Sequence, residues 1–251
     1  MLRIIAALPI VIASAFGCAT PQPVVRLHPT SPDVVWHSGR AIVSQQTSDV
    51  RVAVAFERMA EQRLVFRVEF QNLGPQPRDV GPHLIIYRSC AQPRACGPRT
   101  KVIDPEERLL ALDVARSRTR ASQTNEAGLG AALLMLNAVA TVGAAAQGKG
   151  EEASRLASDG LMLAESTSHS IERHENQIAT IEAEKVDWAA SALRRTTLGA
   201  QQGIAGFVHV PLDLESTRIW LGVLADGPPL WFGFEQRVIV AAPPRRVRSG
   251  S

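Results

Sequence analysis

Residues 104–152 read DPEERLLALDVARSRTRASQTNEAGLGAALLMLNAVATVGAAAQGKGEE, and this stretch decides the architecture. Asp104 is a helix-capping residue, Pro105 suits the first helical position, and Glu106 and Glu107 face the positive end of the helix dipole. No proline follows before Gln147. Gly128, Gly130 and Gly143 each weaken the run by roughly 1 kcal/mol relative to alanine, which predicts a kink near Asn125–Gly130. Gln147-Gly148-Lys149-Gly150 is a turn, and Glu151 and Glu152 open a return helix with acids at its N-terminus. In that return helix Ile171, His174, Ile178, Ile181, Lys185 and Trp188 recur in steps of three and four, which is a heptad seam. The outgoing helix is expected to answer with Gly128, Ala132, Met135, Val139, Val142 and Ala146. The spacing predicts a long antiparallel helical hairpin over residues 104–195.

On either side of the hairpin the period changes to two. Val50, Val52, Val54 and Phe56 alternate with Arg51, Ala53, Ala55 and Glu57; Leu64, Phe66, Val68 and Phe70 alternate with Arg67, Glu69 and Gln71. Further strands are expected over His83–Arg88, Ile204–Val210, Thr217–Leu224 and Leu230–Val240, with an edge strand near Ala41–Ser44, enough for a β-sandwich. The fold class is therefore α+β: a sandwich over residues 34–103 and 196–241 with the hairpin inserted between its strands.

Leu64-Val65-Phe66-Arg67-Val68-Glu69-Phe70-Gln71-Asn72 resembles the strand-then-loop segments of small immunoglobulin-like domains in exported bacterial proteins. Thr197-Leu198-Gly199-Ala200-Gln201-Gln202-Gly203, followed by Gly206-Phe207-Val208-His209-Val210-Pro211, shows the same likeness. The resemblance implies an immunoglobulin-like antiparallel sandwich and carries no catalytic residues. The hairpin is where the chain departs from it.

Met1 to Gly17 has one positive charge, Arg3, then an apolar run from Ile4 to Ala13 and small residues before Cys18, the pattern of a signal peptide. Ala15-Phe16-Gly17-Cys18 resembles the lipobox of bacterial lipoproteins, which implies acylation at Cys18 and an outer-membrane anchor facing the periplasm. Cleavage after Ala13-Ser14-Ala15, giving a soluble periplasmic protein, is the alternative. The chain has three cysteines. If Cys90 and Cys96 pair, Cys18 is left over, which favours acylation. Residues 18–33, with Pro21, Pro23, Pro29 and Pro32, read as a semi-rigid tether.

Cys90 and Cys96 flank a short loop at a strand end, and in an oxidising compartment a disulfide is the expectation. A zinc site would need two further ligands, and none stands nearby. His169 and His174 are five apart, about 140° around a helix, and do not form the i, i+4 pair of helical metal sites. No metal or other cofactor is expected. The chain contains no G-x-S-x-G, P-loop, G-x-G-x-x-G or C-x-x-C, so no catalytic residue is assigned and the protein reads as a non-enzyme. The formal net charge is only +3, from 27 basic and 24 acidic residues, which offers no strong field for nucleic acid. Arg245-Arg246-Val247-Arg248, within the tail at residues 242–251, reads as a solvated basic end.

Leu129 to Ala146 carries no charge over eighteen residues, about 27 Å of helix. Its apolar residues are not confined to one stripe: Leu129, Leu133, Leu134 and Leu136 spread over several faces, while the facing segment carries Glu151, Glu152, Arg155, Asp159 and Glu165. A helix apolar all round is buried or in a membrane. Folding back onto the sandwich, packing against a second copy or a protein partner, and insertion into a bilayer are the three alternatives. The function expected is a cell-envelope lipoprotein, membrane-bound through Cys18, that acts as an interaction or scaffolding module through its hairpin. An envelope enzyme or ligand-binding protein with a site between hairpin and sandwich is the alternative.

Overall fold

Valine-rich alternation and a capped helical hairpin both appear in the computed structural model, which describes residues 23–92, 95–225 and 227–239. The segment read as a signal peptide, Cys18 and the tail at residues 242–251 lie outside the described residues. In chain order the elements are β1 (Val24–Pro29), β2 (Val34–His37), β3 (Arg40–Gln46), β4 (Val50–Ala60), β5 (Arg63–Asn72), β6 (Arg78–Val80), β7 (Ile85–Gln92), β8 (Ala95–Cys96) and β9 (Thr100–Lys101). The helices α1 (Pro105–Ala146) and α2 (Gly150–Ser191) follow, then β10 (Thr196–Leu198), β11 (Gly203–Pro211), β12 (Arg218–Val223) and β13 (Leu230–Ile239).

Two antiparallel sheets face one another in an open, sandwich-like arrangement. One has the order β1-β13-β12-β7-β8, with β9 also paired to β7; the other runs β11-β5-β4-β3-β2. A ribbon of β6 and β10 stands beside them. The alternation does what the sequence predicts: Val52, Val54, Phe66 and Phe70 of one sheet are buried with Ile219, Leu221, Phe232 and Phe234 of the other. Phe66 and Phe234 meet across the sandwich with ring centroids 5.2 Å apart. Burying side chains of this size contributes about 1.5–3 kcal/mol each.

Three boundaries differ from expectation. The segment read as tether contains β1, which pairs with β13 from Val24 opposite Ile239 to Pro29 opposite Phe234. Its prolines mask the alternation of Val25 and Leu27, which are both in the core. The strand at Arg40–Gln46 is not the edge, because β2 pairs outside it. His83 and Leu84 lie in a single 3-10 turn begun by Pro82, so β7 starts at Ile85.

Asp104 caps α1, its carboxylate accepting from the Glu106 N–H at 2.9 Å. Each helix has 42 residues and is therefore about 63 Å long. The helix α1 runs without interruption through all three of its glycines. Gly148 makes the turn in the left-handed region at φ 71°.

Candidate functional site: the helical hairpin and its root

At the root, the last turns of α2 lie against β11 and β5. Trp188 is buried and stacks on His209 of β11, with ring centroids 3.9 Å apart. The Arg63 guanidinium sits 5.2 Å from the Trp188 ring centre. One oxygen of Glu184 gathers the cluster: it accepts from the Trp188 indole N–H at 3.2 Å, from Arg63 at 3.0 Å and from Arg108 at 2.7 Å. Burial pushes the Glu184 carboxyl up, but hydrogen bonds from Arg108 and Arg63 outweigh it and hold the group below the usual carboxylate range. His209 is displaced the other way. Burial, reinforced by the charge of Arg63, lowers it from 6.5 to about 4, so it is neutral at ordinary pH. The Leu193 N–H then donates to the Phe207 carbonyl at 2.8 Å, joining the end of α2 to the sheet.

The root is thus filled by an indole, an imidazole and a three-way ion pair. The shallow space at its rim is lined by Glu61, Gln62, Arg63, Ile103 and Arg108. A separate cleft of about 380 Å³ opens at the end of the sandwich, among Val50, Phe70, Arg78, Asp79, Leu84 and Val223. Among the described residues no group of three metal-ligating side chains comes together.

Along the shaft the inter-helix contacts change character. In the proximal half they are ionic: Lys185 reaches Asp113 at 2.7 Å, and Arg116 reaches Glu182 at 2.6 Å. Farther out Ser170 donates to Glu126, and His174 lies 3.7 Å from the same carboxylate. In the distal half small residues take over. A Cβ on Gly130 would stand 2.7 Å from Thr167 Cγ2, and one on Gly160 would stand 2.6 Å from Asn137 Oδ1. The helices close by placing a hydroxyl and an amide into the gaps that these glycines leave.

This register corrects the seam expected for the outgoing helix. The return seam is as predicted, with Ile171, His174, Ile178, Ile181, Lys185 and Trp188 all at least half-buried. On α1, however, Leu112, Thr119, Ala127, Gly130, Leu134, Asn137, Thr141 and Ala144 face the partner helix. Gly128, Ala132, Met135, Val139, Val142 and Ala146 are exposed. The true seam is offset because close approach at Gly130 and Gly160 selects small and polar residues over large apolar ones.

The four leucines expected at an interaction surface separate accordingly. Leu129, Leu133 and Leu136 are exposed, Leu136 to 67 %. Leu134 turns into the seam and is half-buried, so it does not belong to that surface. Sequence reasoning missed Met135, Val139 and Val142, together with Leu161 and Met162 of α2, each about two-thirds exposed or more. Beyond the root the helices pack on each other and not on the sandwich, so folding back does not account for the apolar run. In an antiparallel pair, positions one residue after each seam residue fall on the same side of both helices. Met135, Ala138 and Val142 follow Leu134, Asn137 and Thr141 in this way, and Leu161 follows Gly160, so one apolar face spans both helices.

Cys90 and Cys96 are disulfide-bonded, and they face one another across β7 and β8. No protein family matches this chain, and no curated protein or solved structure is significantly similar to it.

Proposed function

We propose that this chain is a cell-envelope lipoprotein, anchored through Cys18, whose sandwich presents the hairpin as a protein-interaction or scaffolding arm. The observation that carries this reading is the apolar face of the distal hairpin, where Met135, Val139, Val142 and Leu161 are exposed. A monomeric soluble protein rarely leaves so much contiguous apolar surface open unless it is an interaction site. The immunoglobulin-like resemblance belongs to the same proposal, supported by two facing antiparallel sheets with the hairpin inserted between β9 and β10.

α1 contains an eighteen-residue window long and apolar enough to cross a bilayer, with 11 % of it buried. A protein partner fits better than lipid. Beside that window α2 carries Arg155, Asp159 and Glu165, and a charge at the centre of a membrane helix costs about 2.5–3.5 kcal/mol on insertion scales.

The test uses photo-crosslinking side chains placed at Val139 and, as a control on the sandwich, at Arg67. A discrete crosslinked species from Val139, lost in Met135→Glu/Val142→Glu while the melting temperature stays at the wild-type value, supports the reading. A Val139 pattern no different from that of Arg67, or a double variant that melts far below wild type, overturns it. The anchor is tested separately: Cys18→Ala should move the protein from the membrane fraction to the soluble one, and an unchanged distribution rejects acylation.

A further inference from the structure

The outer face of the sheet containing β1, β13, β12, β7 and β9 has a composition that the hairpin reading does not use. Alternation turns Val25, Leu27, Ile219, Leu221, Phe232 and Phe234 into the core and leaves the intervening residues outward. Arg26, Arg88, Arg99, Lys101, Arg218 and Arg237 lie on or beside that outward face, against a single strand carboxylate, Glu235, which pairs with Arg237 at 3.5 Å. No carboxylate among the described residues forms an ion pair with any of the other five cations. A protein with a net charge of only +3 therefore gathers unpaired positive charge on one face.

In the middle of that face stand Trp220 and Trp231, each opposite a glycine on the neighbouring strand: Trp220 pairs with Gly233 and Gly222 pairs with Trp231. The indoles lie down across those glycines. A Cβ on Gly222 would be 2.8 Å from Trp231 Cζ3, and a Cβ on Gly233 would be 2.8 Å from Trp220 Cζ3. The Arg88 and Arg99 guanidiniums stand 4.8 and 5.4 Å from the Trp231 ring centre. Arg88 Nε is buried with no hydrogen-bond partner. The disulfide at Cys90–Cys96 and the Gly97 N–H, which donates to Ser89 at 2.8 Å, pin the loop that carries Arg99.

We infer that this face binds an acidic polysaccharide, with the Trp220 and Trp231 platform receiving sugar rings and Arg88 and Arg99 receiving their anionic groups. Indoles lying flat offer an extended face against which the C–H side of a pyranose can rest. Guanidiniums without a carboxylate of their own are geared to a carboxylate or phosphate, which they bind by paired N–H donation. Nucleic acid, the other polyanion that stacks on aromatic rings, is disfavoured by the structural disulfide at the edge of this sheet, which marks an oxidising compartment. An anionic bilayer is disfavoured because the rings lie down and do not project as membrane anchors do. The site is on the sheet opposite the hairpin root, so its failure would leave the hairpin reading untouched.

Tryptophan fluorescence titration of the full exported chain carrying Cys18→Ser tests the inference. The probes are oligogalacturonate for carboxylate, phosphorylated dextran for phosphate, neutral dextran, phosphatidylglycerol vesicles and a single-stranded oligonucleotide. At least one acidic glycan should bind, more weakly as salt rises, and neutral dextran should not. Arg99→Gln, at an exposed position whose loss cannot unfold the sheet, should weaken binding about tenfold. Trp220→Leu should weaken it as well, and Arg67→Gln on the opposite sheet should leave it unchanged. The inference is overturned if neither acidic glycan binds, if neutral dextran binds as well, if vesicles or oligonucleotide bind more tightly, or if Arg99→Gln behaves as wild type.

Discussion

The indole of Trp188 lies on the imidazole of His209 with ring centroids 3.9 Å apart, and this pair fastens the end of a helical arm to a β-sheet. Trp188→Ala removes the largest fully buried side chain among the described residues and leaves Glu184 without its indole donor. A loss of about 3–5 kcal/mol is expected in chemical denaturation. Far-ultraviolet circular dichroism should still report helix, because the ionic contacts of the shaft remain. A variant within 1 kcal/mol of wild type, on the scale of an ordinary surface change, would contradict this account of the root.

The same pair makes stability depend on pH with a definite sign. The folded state refuses a proton at His209 until pH falls to about 4, whereas the group ordinarily titrates at 6.5. The unfolded chain therefore binds more protons between those values, and stability is lost as pH falls through that window, by up to about 3 kcal/mol. His209→Phe keeps a ring against Trp188 but cannot titrate. Its stability should match or exceed that of wild type at pH 7 and fall less between pH 6.5 and 4. Parallel pH profiles for the two proteins would rule out His209 as the source.

Two glycines on one helix should respond oppositely to the same change. Space around Gly128 is open, so Gly128→Ala should stabilise by about 0.5–1 kcal/mol through helix propensity. Gly130→Ala drives a methyl into Thr167 and should destabilise, or gain far less than Gly128→Ala. Thermal melts of the two variants decide it, and equal gains would mean that the distal helices do not approach as described.

Removing the disulfide with Cys90→Ala/Cys96→Ala should cost up to about 2.5 kcal/mol, the chain-entropy value for so short a loop. The core should survive, because no described residue of that loop belongs to it. Alkylation of both Cys90 and Cys96 in the unreduced protein, seen by intact mass, would show that the bond does not form.

The sandwich was legible because its alternation is carried by Val, Phe and Leu, whose burial dominates strand placement. The return helix was legible for the same reason, since Ile171, Ile178, Ile181 and Trp188 mark its inner face without ambiguity. The outgoing helix was not. Its distal half is Ala and Gly with scattered large residues, so the strongest apolar stripe pointed to solvent, while Asn137 and Thr141 took the seam. The glycine pair Gly130 and Gly160, each opposite a small polar side chain, is the signal that would have set the register. The root could not be read in advance, because Arg63, Arg108, Glu184 and His209 are far apart in the chain and meet only through the fold. Strand β1 was hidden by prolines on both sides.

The pairing of β1 with β13 changes what an anchor at Cys18 would permit. With the sheet beginning at Val24, only residues 19–23 separate it from the acylation position, a leash of at most about 18 Å when fully extended. The sandwich would then ride close to the bilayer surface, unable to move far from it. The hairpin, about 63 Å long, would outreach the leash more than threefold. In such an arrangement the distance over which the protein can search for a partner is set by the rigid arm and its angle, and lengthening the linker after Cys18 would change which partners fall within range.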